Sequence, residues 1–285
     1  MTLFALALVL VSALLHASWN LLAKRVGSGG APFVWLYGAC AALLYAPLAL
    51  AAVVLLRPHV GPVEFAFLVG TAMLHTGYFL LLQRGYRTGD LSLVYPLARG
   101  TGPVLATAAA VAFFEERPSL LALSGLVLVA AGVFLLAGGG VRGSGGARAV
   151  AYGVATGAFI AAYTLWDKHA VDALMLPPLL YLWASTAGQA LLLAPVAARR
   201  WEEVRAVWCA HRKEVVGVAL LSPLAYLLVL AALVFTAVSY VAPVREVGIL
   251  FGVLIGSQLL VEGHLLRRLT ASGTVVLGIA ALALG

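Results

Sequence analysis

Long apolar runs, cut by short clusters of charge, glycine and proline, set the pattern of this chain. Crossing a bilayer core takes about 20 predominantly apolar residues per helix. Ten runs approach or exceed that length: 2–22, 32–56, 63–86, 91–114, 119–138, 149–169, 176–199, 213–235, 239–262 and 269–285. Each is predicted as a transmembrane helix, so the expected fold is an all-α integral membrane protein. Most connections are short. The segment 139–148 is Gly-rich and polar and reads as a flexible linker between a first unit, 1–138, and a second, 149–285. Composition agrees: 63% of residues are hydrophobic and 10% charged, with a mean hydropathy of +1.05, more apolar surface than a soluble globular domain needs.

The two units carry one pattern. At an offset of 147, Ser92 matches Ser239, Val94 matches Val241, Pro96 matches Pro243 and Glu115 matches Glu262. The stretches Gly89–Arg99 and Thr236–Glu246 each open an apolar run and place a proline inside it. Five helices per unit is an odd number, so the second unit enters the membrane upside down relative to the first. Two inverted five-helix repeats are predicted, the arrangement that supplies the two related conformations of alternating access.

The net charge of +7 is distributed as in a membrane protein rather than as a nucleic-acid-binding face. The connections after helices 1, 3, 5, 7 and 9 hold 13 Lys and Arg, the opposite connections hold 3 (Arg57, Arg117 and Lys168), and Arg99 and Arg245 complete the 18 inside helices. Positive-inside bias then puts both termini outside. The first apolar run has no basic leader and is followed by Lys24 and Arg25, so it reads as an uncleaved helix. In 199–214, Trp201, Val204 and Trp208 recur at helical spacing among arginines, as in a short interfacial helix; a solvated loop is the plainer alternative.

Leu15-His-Ala-Ser-Trp-Asn20, Gly89-Asp-Leu-Ser with Tyr95-Pro96 and Arg99, Glu115, and the run Ser239, Pro243, Glu262 resemble the EamA branch of the drug/metabolite transporter superfamily over nearly the whole chain. The resemblance implies ten helices in two repeats, a substrate cavity between the halves, and export or exchange of a small metabolite. It does not name the cargo.

Ionisable groups at bilayer depth are costly and are usually kept for a task. Arg99 and Arg245 lie well inside helices 4 and 9 and lead the substrate-binding candidates, with Glu246 beside them. Pro96 and Pro243 each remove a backbone donor near an arginine, so a locally opened helix lining a cavity is expected at both. Pairing of an arginine with Glu246 as a purely structural tie is the alternative. Tyr95 shares a helix face with Arg99. Trp19 and Asn20 match Tyr163 and Thr164 at an offset of 144 and read as a cavity wall or, more plainly, as interfacial residues. His75, Tyr78 and Gln258 are weaker solute contacts, and His75 reads as a proton-coupling group or as a packing residue. Glu115 and Glu262 close helices 4 and 9 and read as gate residues or headgroup-level ion pairs. Gly248, Gly252 and Gly256 form a small-residue seam, read as internal packing rather than a dimer seam, with a monomer expected.

No metal-ligand spacing, phosphate-cradling loop or nucleophile motif stands out, so neither an enzyme nor a cofactor is expected. The reading is an inner-membrane secondary transporter of a small anionic or zwitterionic solute, with the bilayer as its other partner. A lipid or headgroup scramblase, or a carrier of other drug-like solutes, stands as the alternative. The charge bias predicts the topology directly. A reporter that is active only in the cytoplasm, fused after Gly285, is expected to be silent, and strong signal from it would reverse the orientation.

Overall fold

The computed structural model describes residues 2–26, 30–88, 91–137, 146–248 and 265–285. Ten helices run through them, and no strand occurs among the described residues. They are α1 (Leu3–Val26), α2 (Gly30–Leu56), α3 (Pro62–Thr88), α4 (Leu91–Phe113), α5 (Leu120–Ala137), α6 (Gly146–Asp172), α7 (Pro178–Arg199), α8 (Trp201–Phe235), α9 (Val238–Arg245) and α10 (Leu265–Leu284). Six are long and apolar enough to cross a membrane. Large apolar side chains stand on the outside of the bundle, Leu43, Leu55, Leu120 and Leu191 among them. An exposed apolar surface of that extent suits lipid rather than water.

Several boundaries have a local cause. Glu64 accepts the backbone N–H of Gly61 at 2.8 Å, which satisfies a donor at the start of α3. Ser119 Oγ accepts from the N–H of Ala122 at 3.0 Å and caps α5. α7 begins at Pro178, whose missing N–H costs nothing in a first helical turn. α8 is two helices joined at His211, whose backbone leaves the helical region at φ −132°, ψ 28°. Its first part is the segment expected to lie at the interface. There Val204 is buried against a cluster containing Phe33, Leu36 and Val218, while Trp201 and Trp208 remain exposed. The ninth predicted span is described only as far as α9 and the turn after it; the rest of 239–262 lies outside the described residues.

Contacts between the helices fix their relative directions. On α1 and α8, Ser12 meets Ala225 and Leu22 meets Gly217. On α2 and α7, Gly38 meets Thr186 and Ala190, and Ala42 meets Trp183. On α3 and α6, Gly70 meets Trp166 and Gly77 meets Phe159. On α5 and α10, Gly125 meets Gly278 and Gly132 meets Ala271. In each pair one number rises as the other falls, so all four pairs are antiparallel. α4 and α6 are parallel, Leu97 meeting Gly153 and Thr101 meeting Gly157. α4 also packs on α9, and α9 on α1.

α5 and α10 meet backbone against backbone. A Cβ on Gly125 would stand 2.5 Å from the carbonyl oxygen of Gly278, and one on Gly278 would stand 2.7 Å from that of Gly125. Backbone atoms cannot yield as a flexible side chain can, so the two helices touch only because both positions are glycine. Gly125→Ala and Gly278→Ala are expected to destabilise the purified protein by about 1–3 kcal/mol each. Gly273→Ala on α10 meets nothing within 4 Å and should be neutral or stabilising through helix propensity. Thermal unfolding followed by size-exclusion chromatography checks the contrast; equal effects at 125 and 273 would refute the close-contact account.

Candidate functional site

The centre of the bundle holds three charged side chains away from solvent: Arg99 on α4, Arg245 at the end of α9, and Glu246 just after it, at 9%, 3% and 1% exposure. Arg99 Nη1 donates to both carboxylate oxygens of Glu246 at 3.4 Å. Arg245 Nε lies 3.7 Å from Glu246 Oε1, an ion-pair distance too long for a hydrogen bond. Among the described residues Arg245 Nε and Nη2 have no hydrogen-bond partner. Its guanidinium carbon instead stands over the Tyr163 ring, 5.8 Å from the centroid, within cation–π range.

The backbone explains why α9 stops here. Pro243 lacks an N–H, and the helix tightens as the N–H of Glu246 bonds back to Pro243 O and that of Val247 to Val244 O, both at 3.1 Å. These three-residue turns close α9 and present Arg245 and Glu246 from its end. The opening expected at Pro96 does not occur: α4 runs unbroken from Leu91 to Phe113. Pro96 stands in the second turn of that helix, where one carbonyl, that of Ser92, loses its partner and the turn need not unwind.

Next to the arginines lies a second polar cluster, in which the expected candidates His75, Tyr78 and Tyr163 gather around a residue that sequence reasoning missed. Asp167 on α6 is fully buried. Tyr181 donates to its Oδ1 at 2.6 Å, Tyr226 makes a short hydrogen bond to Oδ2, and His75 Nε2 stands 3.0 Å from Oδ2. The His75 ring stacks on Tyr163 with centroids 4.2 Å apart, and Tyr78 meets Tyr163 edge-on at 5.8 Å. Tyr163 is therefore the panel between the two clusters. Asp167 was hidden in the sequence because Trp166-Asp-Lys-His169 resembles the polar end of a span. α6 in fact continues to Asp172. Lys168, expected in an outer connection, is likewise buried in α6 and donates to Leu233 O at 2.8 Å, with Asp172 3.0 Å away.

The other expected site residues divide clearly. Thr164 is buried, and its hydroxyl donates to Ile160 O at 2.6 Å, within its own helix. Trp19 is half-buried beside His16, with ring centroids 5.6 Å apart, and its indole N–H is buried without a partner among the described residues. Glu115 is exposed and sits at φ 54°. Its neighbour Glu116 makes the contact between halves, accepting the N–H of Val238 at 2.8 Å and of Ser239 at 2.9 Å. Gly248 packs against Ala13 of α1, as an internal seam would. Gln258, Glu262, Gly252 and Gly256 lie outside the described residues, as do the side chains of Tyr95, Pro96 and Asn20. A cavity of about 490 Å³ opens where α4, α6 and α8 end, lined by Phe114, Glu116, Lys168, His169, Asp172 and Thr236 among others. Arg99, Arg245 and Glu246 are not part of its wall.

No curated protein matches the sequence. A solved crystal structure of a protein matches the fold with a TM-score of 0.75 at 14% identity, covering 98% of this chain and 96% of that one; a likeness at that identity speaks for the fold alone. The EamA-like transporter family matches residues 3–138, which points to a transporter rather than an enzyme. That match covers just under half of the chain, and together with six helices long and apolar enough to cross a membrane it points to a multi-pass membrane transporter.

Proposed function

We propose that this protein is a secondary transporter that carries a small anionic or zwitterionic metabolite through a site built on Arg99 and Arg245. Two guanidinium groups share one carboxylate, Glu246, and the second keeps buried N–H groups without hydrogen-bond partners among the described residues. That observation carries the reading. Unsatisfied buried donors are expensive, and those of a charged group especially so. A solute carboxylate or phosphate entering beside Glu246 would accept them in charge-assisted bonds worth about 1.5–3 kcal/mol each. Asp167 modifies the charge balance, because it makes two carboxylates for two arginines. It is separated from Arg245 by Tyr163 and Tyr226, so the positive potential persists at the arginines themselves.

Alternating access between two inverted five-helix units, 1–138 and 149–285, is part of the proposal. The packing supports it: α1 on α8 has its counterpart in α6 on α3, while α2–α7 and α5–α10 pair each helix with its own counterpart, antiparallel. Export or exchange across the inner membrane, with both termini outside, completes the reading.

Proteoliposome uptake of succinate, glycerol 3-phosphate and L-alanine, compared with the lipophilic cation tetraphenylphosphonium, tests the substrate class; preference for the cation would overturn it. Arg99→Ala and Arg245→Ala are each expected to weaken transport of the preferred solute by about 10- to 100-fold while the protein still inserts. Arg→Lys at either position should rescue poorly, since the planar fork is lost. Normal transport by either alanine variant, or loss only through failure to accumulate in the membrane, would make that arginine structural.

A further inference from the structure

We infer that His75 and Asp167 form a proton-binding site linked to the solute site, a role that rests on the anion reading of Arg99 and Arg245 for its coupling but not for its existence. Asp167 is fully enclosed, and its two oxygens already face three partners: Tyr181, Tyr226 and His75. No solute can reach it. A proton can, through His75, whose side chain keeps 19% of its surface exposed while Nε2 stands 3.0 Å from the carboxylate. Histidine changes charge near neutral pH, and here the charged ring would lie directly against a buried anion, where proton uptake forms an ion pair instead of an isolated cation.

The titratable and charged groups in and around this cluster come from six helices. Tyr78 shares α3 with His75; Tyr163 and Asp167 face it from α6 and Tyr226 from α8, Tyr181 of α7 holds the other oxygen of Asp167, and beyond Tyr163 stand Arg245 and Glu246 at the end of α9 with Arg99 on α4. Lys168, next to Asp167 in sequence, is held by Leu233 O and Asp172, and His169 stacks on Phe67.

Tyr163 lies 4.2 Å from the His75 ring and 5.8 Å from the Arg245 guanidinium carbon, so these two groups are no farther apart than about 10 Å. Two positive charges at that spacing in a poorly screened interior repel enough to change binding on the order of tenfold. An anion at Arg245 removes the repulsion. By linkage, the anion raises the proton affinity of this site by the same factor by which the proton raises anion affinity. The sign follows: solute binding is stronger at low pH, and proton and anion occupy the carrier together.

The test needs no solute. Histidine-labelled protein in nanodiscs is titrated by NMR between about pH 5 and pH 8, with His75→Gln identifying the His75 signal among the six histidines. Reversible protonation of His75 is expected. Asp167→Asn should lower its protonated fraction at pH 6 by about tenfold or more, because the adjacent carboxylate is gone. Tyr226→Phe, which returns charge to that carboxylate, should raise it, and this variant decides the matter if Asp167→Asn does not accumulate. Arg245→Gln should raise it several-fold. A His75 signal that does not titrate, or one indifferent to both Asp167→Asn and Tyr226→Phe, overturns the proton site. Indifference to Arg245→Gln overturns the linkage. Both outcomes are separable from the solute reading, which stands or falls on transport by the arginine variants.

Discussion

Burying Arg99 against Glu246 is the constraint around which the bundle is organised. An unpaired charge at that depth costs several kcal/mol, and neither helix can satisfy its own. The pair therefore acts between α4 and α9, one from each half of the chain, with both carboxylate oxygens at 3.4 Å. The two residues are 147 positions apart, the same offset that relates Ser92 to Ser239 and Pro96 to Pro243. In the proposed inverted repeat these two positions are counterparts, and two arginines there would repel. Placing Arg on one side and Glu on the other turns that repulsion into a tie, and leaves Arg245 as the cation that the tie does not fully use.

The same asymmetry runs through the backbone. Matched prolines have unequal consequences: α4 continues past Pro96, whereas α9 closes two residues after Pro243. A helix that ends at bilayer depth leaves carbonyls and side chains facing inward, which is tolerated only where protein or a cavity receives them. Here Glu246 and Arg245 are what that ending presents.

Much of the helical layout was legible in the sequence because lipid imposes length and polarity on each span, so the breaks at Arg57-Pro58, Arg117-Pro118 and Pro177-Pro178 mark helix ends without any knowledge of packing. The burial of Arg99, Arg245 and Glu246 was legible for the same reason, since a charge inside a 20-residue apolar run stands out. Asp167 was not: placed beside Lys168 and His169 it looked like a helix terminus, and only the reach of Tyr181, Tyr226 and His75 from other helices marks it as interior. The matching of Thr164 with Asn20 reports a shared helix position, and not where a hydroxyl spends its hydrogen bond, which for Thr164 is Ile160 O in its own helix. Likewise Glu115 and Glu116 differ by one residue in sequence, but a left-handed backbone at Glu115 turns one out and lets the other cap α9.

That cap connects the closure of the bundle to its charged centre. α9 has eight residues, so it is a rod of about 12 Å. Its N-terminus, the positive end of the helix dipole, is held by the carboxylate of Glu116, and its C-terminus, the negative end, carries Arg245. Both attachments are favourable, and both involve the first half of the chain: Glu116 directly, and Arg99 through Glu246. α9 thus joins the contact near the cavity mouth to the buried ion cluster through a single short element.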